Sequence, residues 1–328
     1  MFKMLSRLLL VVLTVGAVTF PTLFPKELEK HEWPFVATTV GLAVAAVLLQ
    51  REYDSREARK NRRLSHKLAL QEGRSDTLKF MIKILTDPIL LIEQDHDWTQ
   101  EEEEKGVAKL NAAMTQILRA LTQDVSVYVD EKPDVSVNTN LMIAHKTEAS
   151  APAQLQKLTA STIFLGYQRG LNTYAYALEL MLWDRPEADV PALVLPVEDP
   201  QVFAGKRRLL PGAPEAFALN QDRIIPDTRK IRDYLLADPG GPGSELDEDV
   251  LKQMDEYFGS KQFRSFASLV LRDPTTAKPL GVLNIQSNEA ERFKPGDEME
   301  TLIKSLEHYR FSLQYLLNGQ RKLLGIEL

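Results

Sequence analysis

Three kinds of hydrophobic patterning follow one another along this chain. The first is unbroken. Leu8–Pro25 and Trp33–Gln50 are each eighteen residues without a charged side chain. As helices each spans about 27 Å, close to the roughly 30 Å hydrocarbon thickness of a bilayer. The first run lacks a small-x-small cleavage site and a second follows at once, which favours a membrane hairpin over a removable signal peptide. Pro34 suits the first turn of the second run, and Trp33 suits the membrane interface.

The second pattern has helical spacing. Residues 51–92 contain one glycine and no proline before Pro88, and predict a helical linker. Thr99 with Glu102 forms a capping box ahead of Val107, Leu110, Met114, Ile117, Leu118 and Leu121, which share one face. This predicts an amphipathic helix of about six turns. Shorter helices are expected over Ala213–Leu219 and Leu246–Phe258. A terminal helix begins at Pro295–Glu298, carries Met299, Leu302, Ile303, Leu306, Tyr309, Leu313, Leu316 and Leu317, and is expected to cap at Asn318-Gly319.

The third pattern predicts strands. Val125–Val129, Asn140–Ala144, Tyr174–Trp183, Ala192–Val197 and Arg223–Ile225 are short β candidates, while Leu155–Leu165 is ambiguous. The clearest pair is Phe266–Arg272 and Leu280–Gln286, joined through Asp273–Pro279. Neither Pro274 nor Pro279 can donate a ladder hydrogen bond, so the turn lies between them. Gly281 marks a bulge or a close backbone approach. Asn284 is the one polar residue inside an apolar strand, on the face of Leu280 and Val282 by parity. A ligand, or a cross-strand or loop hydrogen bond, would satisfy it.

Charge orients the membrane hairpin. The chain carries −6 overall, but residues 1–76 hold 12 basic and 8 acidic side chains, leaving −10 on residues 77–328. Lys3 and Arg7 precede the first run. Arg51, Arg56, Arg59, Lys60, Arg62 and Arg63 follow the second. Both termini are therefore expected in the cytoplasm, at the inner membrane. The basic cluster would fix topology, and can also meet anionic lipid. The acidic remainder argues against nucleic acid as a partner.

Candidate chemistry is sparse. The 328 residues include no cysteine, which removes disulfides, thiolate nucleophiles and thiolate metal sites, and fits a reducing compartment. The five histidines are scattered without metal-ligand spacing, so no metal site is expected. There is no Walker A motif, GxGxxG or nucleophile elbow. His145 beside Lys146 is an acid–base candidate without a visible partner. An enzyme is not expected. Glu101–Glu104 are read as a solvated first helical turn.

The order of elements resembles a GAF domain. An amphipathic helix and strands lead to the Ile224-Ile225-Pro226-Asp227-Thr228 segment. Then come Ser265–Asp273, Gly281–Ser287, Phe293, the acidic pair Asp297-Glu298 and the terminal helix. The likeness is firm from about Leu210 to Leu317 and looser from Trp98 to Gln201, where the strand spacing points to an insertion near Ala149–Arg169. It implies an α+β fold, with a central antiparallel sheet carrying helices on one side and a small-ligand pocket on the other. It places the helices Gln100–Thr122 and Asp297–Leu317 together, where such helices commonly form a dimer bundle. Burial against their own sheet explains the same leucine pattern. It also implies pocket residues at Asp227, Thr228, Ser265 and Asn284, although Asp227 can equally cap the turn it begins. Cyclic-nucleotide-binding members carry an Asn-Lys pair before Phe, three residues and Asp-Glu. Phe293 through Glu298 match the second half, but Asn288 is followed by Glu289, so a cyclic nucleotide has half a signature.

The organisation read from the chain is a transmembrane hairpin (1–50), a basic helical linker (51–92), a GAF-like domain (93–319) and a tail (320–328). The leading functional expectation is a membrane-anchored sensory or regulatory module. It would bind a small molecule or partner, dimerise, and relay binding to the membrane helices. The alternative is a membrane effector or scaffold, in which the spans act on the bilayer and the GAF-like domain only assembles the complex. Gly41, Ala43, Ala45 and Ala46 permit close span packing.

Overall fold

Six strands form one antiparallel sheet in a computed structural model, which describes residues 83–88, 92, 99–128, 135–166, 169–184, 192–199, 201–202 and 206–324. They are β1 (Val137–Lys146), β2 (Tyr176–Trp183), β3 (Val194–Val197), β4 (Arg223–Ile225), β5 (Ser265–Arg272) and β6 (Pro279–Ser287). Their order is β3-β2-β1-β6-β5-β4, so the two halves of the chain meet where β1 pairs with β6. The chain divides into units Met1–Leu78 and Lys79–Leu328, and the described residues all belong to the second. The predicted membrane hairpin and most of the linker lie outside the described residues. Among the described residues, no helix is long and apolar enough to cross a membrane.

The helices are α1 (Gln100–Tyr128), α2 (Pro152–Ala160), α3 (Ala213–Leu219), α4 (Ile231–Ala237), α5 (Glu248–Ser260), α6 (Asp297–Ser305) and α7 (Glu307–Leu323). Strand alternation sorts the sheet into two faces. Leu141, Ala267, Leu269, Leu283 and Ile285 point to one side, where α1, α6 and α7 bury their apolar stripes in the largest core cluster. Met142 and Val282 point to the other, under α3, and Phe266 lies on that side beneath α5. The architecture is thus α+β, with the helices α1, α6 and α7 on one face of an antiparallel sheet and the shorter α3 and α5, with a cavity, on the other. The leucine-rich faces of α1 and α7 are buried within their own chain.

Several boundaries differ from the sequence reading for identifiable reasons. The capping box forms as expected, with the Thr99 amide donating to Glu102 Oε2 at 2.9 Å. The helix it starts runs 29 residues, through the stretch Val125–Tyr128 expected as a strand. Val125 stands four residues beyond Leu121 and is fully buried in the same stripe, so tertiary burial outweighs local β-propensity. Asn318-Gly319 does not end α7, which continues to Leu323. Gly319 instead lets Ile92 pack against the helix, where a Cβ would collide with the isoleucine side chain. Leu280 packs with the helix-face core, against the parity reading, because the β5–β6 register shifts between Leu271 and Arg272. Gly281 fulfils the close-approach expectation. It lies opposite Ile143, and a Cβ there would strike the Met142 carbonyl oxygen.

Arg310 and Asp222 guard the outer edge of β5. The short β4 pairs only with Phe266–Ser268, leaving Val270 without a strand neighbour on that side. Asp222 Oδ1 accepts the Val270 amide at 2.9 Å, and Arg310 donates to the Val270 carbonyl at 2.6 and 3.0 Å. The guanidinium also grips both Asp222 oxygens at 2.9 and 3.0 Å. Two side chains thus satisfy backbone groups that a further strand would otherwise recruit.

Candidate functional site

A row of polar side chains crosses the middle of the sheet on the face away from α1 and α7. The register puts Asn140 of β1, Asn284 of β6 and Ser268 of β5 side by side. Asn284 Nδ2 donates to Asn140 Oδ1 at 2.9 Å, and Ser268 Oγ donates to Asn284 Oδ1 at 2.7 Å. All three are buried. The cross-strand bonding foreseen for Asn284 is therefore present, and it uses that amide's carbonyl oxygen and one amide hydrogen.

Above this row lies a cavity of about 70 Å³. Asn140, Asn284 and Gln286 contribute to its floor, with Met142 and Phe266 beside them, and the start of α3 forms one wall. The opposite wall is aromatic. Phe258 of α5 stacks on Phe266 with centroids 6.2 Å apart, and Phe263 meets Phe266 edge-on at 6.1 Å. Tyr257 also lines the cavity, and burial raises its phenol pKa, keeping it a neutral donor. Gly212, in the left-handed region at φ 88°, lets the chain enter α3 against the Phe266 ring, where a Cβ would approach to 2.5 Å.

Several polar groups here are unused. Asn140 engages only its Oδ1, and the Gln286 side-chain amide makes no hydrogen bond among the described residues. None of the described lining residues is charged. The volume is about half that of a ~150 Å³ apolar cavity able to take up benzene. A cyclic nucleotide does not fit this site, being too large and finding no cation for its phosphate among the described lining residues.

The other resemblance-derived residues have structural duties and do not line this cavity. Asp227 caps the single 3₁₀ turn Thr228–Lys230, accepting the Arg229 amide at 3.1 Å and pairing with its guanidinium. The Arg229 hydrogen bond, outweighing burial, holds the Asp227 carboxyl below its usual range. The Thr228 amide donates to the Arg264 carbonyl at 2.7 Å, and Ser265 Oγ to the Glu289 carbonyl at 2.7 Å. Asn140 and Gln286 went unremarked in the sequence. Gln286 repeats the parity of Asn284, a usable signal, whereas Asn140 becomes its neighbour only through a pairing 144 residues apart.

His145 has the partner that was not visible in the sequence. Its Nε2 lies 2.9 Å from Glu179 and its Nδ1 3.0 Å from the Gln154 amide. Both ring nitrogens are thus engaged by side chains. Among the described residues no group of three acidic or histidine side chains could hold a metal. The His145 hydrogen bond, opposed by burial and helped by Lys157, holds the Glu179 carboxyl below its usual range. Its stabilising contribution is complete above pH 4.5 and is lost as pH falls through the depressed pKa. Glu179→Gln is therefore expected to flatten the acid limb of stability below about pH 4.5, read by urea unfolding at stepped pH. An unaltered limb would show that other carboxylates govern it.

Comparison with known proteins adds little to this geometry. No family model matches the chain, and no curated protein matches it. Among solved structures it is similar to the GAF domain region of a protein from Geobacter sulfurreducens PCA. The two share 13% identity at a TM-score of 0.31, over 65% of this chain and 97% of that one. A likeness so distant carries no argument about fold or function.

Proposed function

We propose that residues 79–328 are a sensory-type module whose cavity takes up a compact, uncharged molecule with an apolar body and an amide-like polar edge. One observation carries this reading: aromatic and aliphatic walls enclose the unused amides of Asn140 and Gln286. Those groups meet water in the open cavity, and a ligand that displaces it must supply their hydrogen bonds. A molecule the size of one ring enters with an outward shift of α3 or α5, and that shift is the signal. The floor strands carry α1 and α7 on their opposite face, so a change in the floor is transmitted to those helices. From α1 the chain runs back through the basic linker to the predicted spans at the cytoplasmic face. The relay, and pairing of two copies through the same helices, belong to this proposal.

Gln286→Leu separates recognition from folding. Gln286 has no hydrogen-bond partner among the described residues, so the change is expected to alter stability by no more than about 0.5 kcal/mol. Acetamide and benzamide should raise the thermal midpoint of the full chain and have a weaker effect on the variant. Equal responses, or none in either protein, would remove the support for an amide-reading site.

A further inference from the structure

The aromatic wall of the cavity over Asn140 contains a backbone irregularity. Phe164, which lines that cavity, takes a left-handed conformation with φ at 63°. Glycine enters that region freely. A bulky aromatic residue rarely does, because its Cβ crowds the backbone. Such a residue persists only where its surroundings hold it, and such residues gather at ligand clamps and switches.

At Phe164 one side chain does the holding. The Phe164 amide donates to Gln253 Oε1 at 3.1 Å, and Gln253 Nε2 donates to the Leu165 carbonyl at 3.3 Å. The flanks are fixed separately. The Ile163 amide donates to the Val194 carbonyl at 3.1 Å, and the Gly166 amide to the Tyr174 hydroxyl at 3.2 Å. The strain therefore falls on Phe164, and a bracket from α5 keeps it there.

What the bracket secures is the position of a ring. Phe164 is 6% exposed, meets Tyr257 edge-on at 5.3 Å and stacks on Phe258 at 6.5 Å. The cavity of about 70 Å³ falls short of the ~150 Å³ that takes up benzene, and vacating one phenyl ring closes much of that gap. An outward shift of α5 also draws Gln253 away from Phe164, so the same movement frees the ring and makes the room.

We propose that Phe164 is a movable plug, whose ring stands where a one-ring ligand sits and is displaced by it as Gln253 lets go. This role presupposes the ligand-binding reading above and adds how entry is controlled. Relaxation of the Phe164 backbone offsets part of the packing lost when the ring leaves. Apparent affinity is then lowered by the small fraction of chains in which the plug is out. A ring that is only wall does the reverse, adding contacts to the ligand.

Hydrogen exchange of the full chain with and without benzamide separates the two roles. A displaced plug predicts faster exchange in the peptide spanning Ile163–Gly166 when benzamide is present, because the Phe164 amide loses Gln253. Slower or unchanged exchange there would overturn the proposal. Phe164→Ala should tighten benzamide binding about tenfold or more, since minor open states are commonly populated at about 10% or less. Weaker or unchanged binding would make the ring a wall. If that variant does not unfold cooperatively, Gln253→Leu decides, because it keeps the ring and removes the bracket. It too should tighten binding, and unchanged or weaker binding would overturn the plug. If benzamide shifts the thermal midpoint of neither the wild type nor Phe164→Ala, the ligand-binding reading itself fails, and the plug with it.

Discussion

Gly281→Ala is expected to lower the stability of the domain by about 3 kcal/mol, at the upper end of what overpacking costs. The added methyl would meet the main chain of β1 at Met142 and Ile143, with no flexible side chain able to give way. Relief requires β1 and β6 to separate, and that pairing joins the two halves of the sheet. In a domain of this size the loss corresponds to a thermal midpoint about 6–12 °C lower. Circular dichroism melting of the full chain and the variant would measure it. A change under about 0.5 kcal/mol, typical of a tolerant surface site, would mean that the β1–β6 interface is looser than described.

Arg310→Met is expected to have an effect of similar size, about 3 kcal/mol, because one partner of a largely buried ion pair is removed. Arg310 is 5% exposed. Its loss frees the Val270 carbonyl and leaves the Asp222 carboxylate without its cation. The double-mutant cycle with Asp222→Asn is the sharper experiment. If the two act as one clamp on the β5 edge, the double variant should cost clearly less than the sum of the single ones. Strict additivity in denaturant unfolding would contradict the clamp. The exposed edge also predicts more self-association of Arg310→Met, readable by light scattering.

What could be read in the sequence depended on how local each signal was. Ala213–Leu219 and Arg223–Ile225 fall where the turn residues on either side place them, because proline and glycine act within a few residues. The strands β5 and β6, buried on both faces, read as apolar runs with a proline-framed turn. Where a tertiary contact decides, local reading fails. Val125 continues a helix because its neighbour four residues back is buried, and Gly319 serves the approach of Ile92 and not a cap. The register shift beside Arg272 moves Leu280 to the other face, which parity alone cannot foresee.

In the sequence the candidate site shows most clearly at Asn284. Its polarity in an apolar strand is a sequence-level anomaly, and the structure resolves it as the centre of the Asn140–Asn284–Ser268 row. Asp227, Thr228 and Ser265 came from resemblance, and their side chains serve a turn and loop junctions. Phe258 and Phe266 look like ordinary core aromatics in sequence, because nothing local distinguishes a ring that fills a core from one that walls a cavity. Gln320 and Arg321 lie in a stretch read as a tail, yet both are buried in the last turns of α7.

The central claim is that the cavity over the amide row holds a small uncharged molecule. Mass spectrometry of compounds released from the purified full chain tests it most directly, with Ala213→Leu as the comparison. Ala213 lines the cavity at the start of α3, and leucine there fills much of its volume. One low-mass neutral compound is expected from the wild-type chain, close to one per chain, and largely missing from the variant. No compound above the solvent blank, or equal amounts from both proteins, would contradict it.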